Sequence, residues 1–371
     1  MNKKKILIAS ANFFTIERFR MGLISELLDN GYKVVLLSTV DQMSKDSYRA
    51  LCKLGIECVN TKLSRGSFSI VEAVKYLFIY MKIIREHKID LVINFTIFPM
   101  IIGGLACRIF QKKFISVITG LGSQFNQSKL KYILFSGLYF FTVRHSEQVW
   151  FVSRSDLISG SSILKIPEEK KRIVYGSGVP IVNKISKSFD SLDILYMGRI
   201  RKDKGVEDFL GLSNKFCKDK SKNFLMMGSY DTNDSVLINK ILDCKKKGCV
   251  RLQKFDIDNL AYLQSSNVVL MCSRHEGMPT ILLEAMSYNS IPVSSNIPVA
   301  NELVSMGAEI FIYEQNNLND LFKTIEEISK LTEEKITRIL SKNYEFVKSN
   351  FSQGIVSKIQ FKYLESVFKI E

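Results

Sequence analysis

Histidine is scarce: only His87, His145 and His275 occur in 371 residues. None has carboxylates around it at ligand spacing, so a catalytic zinc site is not expected. The seven cysteines (Cys52, Cys58, Cys107, Cys217, Cys244, Cys249 and Cys272) include no C-x-x-C pair and are odd in number. They read as reduced cytosolic thiols, most of them small buried hydrophobes. Long apolar runs are also missing. The greasiest stretch, Leu91 to Phe110, is broken by Asn94, Pro99, Gly103-Gly104 and Arg108, whereas a membrane-spanning helix is more uniformly apolar. At the N-terminus, Lys3-Lys4-Lys5 precedes Ile6–Ala9, too short a run for a signal-peptide core. No integral membrane segment is expected. No D-x-D motif follows a strand; Asp256-Ile257-Asp258 reads as a helix cap ahead of Leu260–Gln264.

What is present is an ordinary globular balance, 46% apolar and 24% charged, which excludes wholesale disorder. The length suggests two domains. The net charge of +15 is uneven: residues 1–183 hold 26 Lys+Arg against 13 Asp+Glu, and the remainder 26 against 24. A basic first half implies an anionic partner (membrane surface, phosphorylated lipid or nucleic acid) or reflects a lysine-rich background. It lacks any RNA- or DNA-binding signature.

Lys5–Ser10 is a continuous apolar strand, and Phe19–Asn30 has helical apolar spacing closed by Gly31. Further strands are expected at Lys33–Ser38, Asp90–Phe95, Phe114–Thr119 and Gln148–Val152. A second series runs through Asp193–Met197, Asn223–Met227, Val250–Gln253, Val268–Cys272 and Ile291–Ser294. Strands alternating with helical stretches predict α/β domains with parallel sheets, whose ligand sites lie at the carboxyl ends of the strands. Tyr175-Gly176-Ser177-Gly178-Val179-Pro180 and the polar stretch after it mark a hinge. The expected division is a domain over 1–183, a second over 184–350 and a terminal segment over 351–371.

Two motifs carry chemistry. Gly198-Arg199-Ile200-Arg201-Lys202-Asp203-Lys204-Gly205 follows a strand. It is either a solvated turn or puts arginine and lysine at the sheet mouth, where they can neutralise a diphosphate leaving group. Ser273-Arg274-His275-Glu276-Gly277-Met278-Pro279-Thr280 opens a helix continuing Ile281-Leu282-Leu283-Glu284-Ala285-Met286. Gly277 lets backbone approach a ligand, the helix N-terminus offers free N–H groups to an anion, and Glu284 can grip a ribose diol. After the strand at Phe114–Val117, Thr119-Gly120-Leu121-Gly122 is either a plain turn or brings bare backbone to a strand end through Gly120 and Gly122, admitting phosphate or sugar.

Embedded in E-G-x-P-x-x-x-x-E-A, the two glutamates resemble glycosyltransferase family 4, and the likeness runs nearly end to end. The resemblance implies the GT-B fold: two Rossmann-like, doubly wound domains facing across a cleft. It implies that Arg199 and Lys204 hold the donor diphosphate, that Glu276 contacts the sugar, that Gly277, Met278, Pro279 and Thr280 line its pocket, and that Glu284 binds the ribose. The T-G-L-G segment, Ser64-Arg65-Gly66-Ser67 and Phe95-Thr96-Ile97-Phe98-Pro99 resemble a bacterial branch that extends undecaprenyl-diphosphate-linked oligosaccharides for surface polysaccharides. In that likeness the first domain binds the acceptor, the second the nucleotide sugar, and the last helix crosses back to the first domain. The chain departs from the family in Pro180, where aspartate is usual, and in Asn289, where glycine is frequent; asparagine tolerates positive φ.

The expectation is a retaining hexosyl- or N-acetylhexosaminyltransferase that uses a UDP-sugar, with a GDP-sugar second. It needs no metal or other cofactor and acts on a polyprenyl-diphosphate-linked saccharide. It would be cytoplasmic, in peripheral contact with the anionic inner face of the plasma membrane, and without a nucleic-acid partner. Rival readings are a UDP-sugar epimerase of the same fold, which should be richer in histidine, and a basic nucleic-acid- or membrane-binding protein. Lys129–Arg144, with basic edges around Tyr132 to Phe141, is either an interfacial helix or an internal helix of the first domain.

Overall fold

The computed structural model describes residues 3–42, 44–61, 70–120, 129–184, 186–253 and 260–369, without the side chains of 129–136 and 162. Ser64–Ser67, Gly122 and Asp256–Asp258 lie outside the described residues. Packing divides the chain into two units, Met1–Gly178 with Gln353–Glu371, and Val179–Ser352. The division falls between Gly178 and Val179, inside the Gly-Pro-rich hinge rather than after residue 183. Three of its residues take positive φ: Tyr175 (51°), Gly176 (74°) and Gly178 (67°).

In chain order the first unit comprises β1 (Lys5–Ala9), α1 (Phe13–Asp29), β2 (Lys33–Ser38), α2 (Lys45–Lys53) and β3 (Glu57–Asn60). It continues with α3 (Ile70–Glu86), β4 (Leu91–Phe95), α4 (Ile97–Ile109), β5 (Lys113–Ile118) and α5 (Lys129–Arg144), then β6 (Gln148–Phe151), α6 (Arg154–Leu164) and β7 (Lys171–Ile173). The strands form one parallel sheet in the order β3-β2-β1-β4-β5-β6-β7. Ile6 to Ala9 and Leu91 to Phe95 are all fully buried, because helices cover both faces of a parallel sheet. Helix α1 starts six residues before the apolar periodicity suggested. Asn12 caps it, its Oδ1 accepting from the Thr15 N–H at 3.0 Å.

The second unit runs β8 (Leu192–Met197), α7 (Val206–Lys215), β9 (Lys222–Met227), α8 (Ser235–Lys246), β10 (Arg251–Gln253), α9 (Leu260–Ser265) and β11 (Val268–Met271). After these come α10 (Thr280–Ser287), β12 (Ile291–Ser295), α11 (Pro298–Ser305), β13 (Phe311–Tyr313), α12 (Leu318–Ser329) and α13 (Glu333–Asn350). The sheet is parallel, in the order β10-β9-β8-β11-β12-β13. Alternation along each strand builds two cores. Ile194 and Leu270 join Phe209, Phe224 and Val293 on one face, while Leu195 and Val269 join Ala285 and Tyr288 on the other.

The last helix, α14 (Gln353–Phe368), packs on α1 within the first unit. Gln148 Nε2 donates to the Tyr363 carbonyl and Ser366 Oγ, and Gln360 Nε2 to the Gly176 carbonyl. One expectation from the sequence is overturned here: Cys217 and Cys249 form a disulfide instead of remaining reduced. They lie 32 residues apart, at the end of α7 and just before β10, and only the fold brings them together. Of the other five thiols, Cys107, Cys244 and Cys272 are buried, as small hydrophobes would be.

Candidate active site in the second unit

The strand order fixes where this unit can bind a ligand. From β8 the chain steps outward to β9 and β10, then returns to the other side of β8 as β11. The connections leaving β8 and β11 therefore diverge at their carboxyl ends and open a crevice, the topological switch point of such sheets. Both sequence motifs are those two connections: residues 198–205 follow β8, and residues 272–279 follow β11.

The β8 connection is built around backbone contact. The Gly198 N–H donates to the Met227 carbonyl and the Tyr196 hydroxyl to the Arg199 carbonyl at 2.9 Å. Gly205 has φ +64° and lies so close to the β11 connection that a Cβ would strike the Cys272 carbonyl oxygen. Contact there holds the two loops in register. The Arg274 N–H adds a 2.8 Å hydrogen bond to the Asp203 carbonyl.

In this setting Lys204 meets Glu276, Nζ to Oε1 at 2.6 Å, and Ser273 Oγ donates to the same oxygen at 2.6 Å. The two side chains are only 16% and 21% exposed, so water screens their attraction less than at an open surface. Arg199 goes elsewhere. Its Nη1 lies 3.1 Å from Asp231 Oδ2, and the side chain is 56% exposed. An open pair of this kind contributes little stability, so a diphosphate with two or more charges can compete for the guanidinium. Arg201 makes a two-point contact with Asp203 and also reaches Asp231.

Behind the loop lies a polar cluster that the sequence motifs did not assign. Both oxygens of Asp208 accept from Arg274 at 2.9 Å, and Tyr313 OH donates to Oδ2 at 3.0 Å. Burial works against the Arg274 charge, but the bonds and charge of Asp208 outweigh it and raise its pKa. Burial, then Cys272 and Asp208, pushes the Tyr313 phenol well up, so it stays a donor. Asp208 is 5% exposed in a helix whose neighbouring buried positions are Val206, Phe209 and Leu210. A carboxylate among inward apolar positions was the signal to read.

Pro279 precedes α10 as its N-cap residue, and its carbonyl accepts from the Leu282 and Leu283 N–H groups. Gly277 is buried, Met278 packs against the Met271–Leu282 cluster, and Thr280 is half-buried at the helix start. Glu284 lies one turn further on, 6% exposed. Asn289 does take positive φ, 54°, in the turn after α10. His275 is exposed beside Glu276, whereas His145 contacts the Phe141 carbonyl and ring within the first unit. Gly120 belongs to the first unit, directly after β5, with φ +119°. Among the described residues no group of three His, Cys, Asp or Glu is placed to hold a metal ion.

The first sheet has its own switch point, between β1 and β4. There Thr96 has φ +68°, and the Arg20 guanidinium lies 3.9 Å over the Phe95 ring. Arg20 Nε is buried with no partner among the described residues.

The switch point of this parallel doubly wound sheet thus holds cations and a carboxylate together. Two family models match the chain: Glycosyl transferases group 1 over residues 181–345, and Glycosyl transferase 4-like over residues 5–153. The chain belongs to the glycosyltransferases of the GT-B fold and is an enzyme of that kind. It is 24% identical over 257 residues to the Staphylococcus aureus capsular polysaccharide biosynthesis glycosyltransferase CapM, a match covering 62% of this chain and 66% of that one. It is 24% identical over 297 residues, 75% of each chain, to the Escherichia coli UDP-Gal:alpha-D-GlcNAc-diphosphoundecaprenol alpha-1,3-galactosyltransferase. The solved structure of Anabaena HepE in complex with UDP and glucose superposes with a TM-score of 0.78 at 16% identity, over 98% of this chain and 100% of that one.

Proposed function

We propose that this glycosyltransferase moves a hexose or N-acetylhexosamine, with retention, from a UDP-sugar to a polyprenyl-diphosphate-linked saccharide in surface polysaccharide biosynthesis. The observation that carries this reading is the pairing of Lys204 with Glu276 across the two loops of the switch point. One cation and one carboxylate, held 2.6 Å apart, suit a donor whose diphosphate is anionic and whose sugar is neutral. Support for the nucleotide and the lipid-linked acceptor comes from what the named relatives act on and what HepE binds.

In the proposed reaction the acceptor hydroxyl oxygen bonds to the anomeric carbon as that carbon's bond to the diphosphate oxygen breaks. The diphosphate leaves with the electron pair, and its departing oxygen takes the hydroxyl proton on the same face of the sugar. Arg199 and Lys204 stabilise the charge that builds on the leaving group, which needs no metal. Glu276 orients the sugar hydroxyls, and Glu284 holds the ribose. Gly277 to Thr280 line the sugar pocket within the second unit, and the first unit takes the acceptor. Among the described residues no helix is long and apolar enough to cross a membrane. The lipid-linked acceptor and the basic first half support placing the enzyme in peripheral contact with the anionic inner leaflet.

The test is transfer itself. The full chain is incubated with UDP-sugars and a short-chain polyprenyl-diphosphate saccharide, and NMR reads the anomeric configuration of the product. An α-linked product from an α-linked donor supports the reading. Inversion contradicts the mechanism, and epimerised free sugar contradicts the reaction class.

A further inference from the structure

We propose that the amino-terminal half of α3 docks on an anionic bilayer, an assignment that rests on the lipid-linked acceptor proposed above. This helix buries Tyr76, Tyr80, Ile83 and Ile84 against the first unit's core. Its opposite face should then be polar. Instead Ile70 is 83% exposed, Val71 63%, Val74 45% and Phe78 64%. These fall on one side of the helix, spaced i, i+1, i+4 and i+8, and form an exposed stripe with no packing partner among the described residues.

The same exposed side carries Lys75, Lys82 and Arg85. Lys82 pairs with Glu86 at 3.9 Å on the same helix, and Lys75 and Arg85 are exposed beside it. An apolar stripe bordered by cations is the pattern of an interfacial helix on acidic lipid. A second copy of this chain would bring like charges together at the same stripe, in a half-chain that already holds 26 Lys+Arg against 13 Asp+Glu. An anionic bilayer meets both the apolar and the basic requirement, so charge complementarity selects it.

Topology places the stripe well. Because the sheet is parallel, α3 begins at the carboxyl edge of the strands, the edge at which such sheets bind ligands. A lipid-anchored saccharide presented at the membrane surface would arrive at that edge. Among the described side chains of helix α5, residues 137–144, Tyr139 and Val143 are buried, and Leu138 and Phe141 are 36% and 43% exposed.

The experiment is vesicle co-sedimentation of the full chain with phosphatidylcholine alone and with phosphatidylglycerol added. Wild type should sediment with the anionic vesicles and release as salt rises. Val74→Ser with Phe78→Ser should lower the partition coefficient about tenfold or more, the loss expected for removing two apolar anchors. Lys75→Glu with Lys82→Glu should abolish the preference for anionic vesicles. An unchanged circular dichroism spectrum and an unchanged UDP-induced thermal shift show that the variants are folded and the donor site intact. Three results overturn the proposal: wild type ignoring both vesicles, the apolar variant sedimenting like wild type, or a wild-type dimer that the apolar variant dissolves. Loss of the UDP shift in wild type would count against the donor site, not against the docking helix.

Discussion

Replacing Gly205 with alanine tests whether the two site loops are held in register by direct backbone contact. The residue has φ +64°, and its added methyl would fall on the Cys272 carbonyl oxygen, within 2.7 Å of the carbonyl carbon. The left-handed conformation costs alanine about 1–2 kcal/mol, and forcing a methyl into packed backbone adds roughly 1–3 kcal/mol. The obstacle is a strand-end carbonyl rather than a flexible side chain, so relief requires the β11 connection to move. That displacement would draw Glu276 away from Lys204. The expected loss is about 2–5 kcal/mol, a fall of roughly 5–15 °C in the second unit's calorimetric melting, together with weaker UDP binding. Gly248→Ala is the matched control: φ is +75° and nothing lies within 4 Å of its added Cβ, so only the conformational cost of about 1–2 kcal/mol applies. Equal destabilisation by the two variants, or Gly205→Ala with wild-type UDP affinity, would refute the reasoning.

Four further outcomes are expected. Glu284→Ala should weaken nucleotide binding by titration calorimetry while leaving the fold intact. Lys204→Ala should slow transfer more than it weakens donor binding, because the charge it faces grows during the reaction; equal effects on kcat and KM would contradict that role. Asp208→Asn removes the partner of a partly buried guanidinium and should cost about 2–4 kcal/mol by denaturant titration, with reduced transfer because Arg274 no longer anchors the Glu276 loop. Lys187 donates to the Leu263 and Ser266 carbonyls and to Ser290 Oγ, and burial pulls its pKa from 10.5 down to about 7. Between those values the unfolded chain binds more protons, so stability should rise as pH climbs from about 7 towards 10.5 and be lost as it falls. Lys187→Met should flatten that rise, and an unchanged slope in the variant would show that another group carries it.

The central strands were legible because a strand covered on both faces must be apolar throughout: Ile6–Ala9, Leu91–Ile93 and Val268–Met271 announce themselves. The three strands not foreseen, β3, β7 and β13, are all sheet edges of three or four residues. Edge strands pair on one side only and are half-buried, so Glu57–Asn60 and Lys171–Ile173 carry no unbroken apolar run. The start of α1 was hidden by Phe13-Phe14-Thr15, residues with sheet-like preferences, although Asn12 offered the cap. Lys204 and Glu276, which the structure pairs, could be singled out because each lies within a contiguous motif. Their supports could not: Asp208 and Tyr313 are 105 residues apart, Arg199 and Asp231 32 apart. Cys217 and Cys249 were missed for the same reason. Such pairings are set by strand order, which no local pattern displays.

The measurement that bears most directly on the central claim is a thermal-shift panel of UDP, GDP, ADP and their sugars on the full chain without added metal. A ligand that binds only the folded protein raises the melting temperature by mass action. The account predicts a rise with uridine nucleotides that Glu284→Ala diminishes. No rise with any nucleotide from well-folded protein would contradict it.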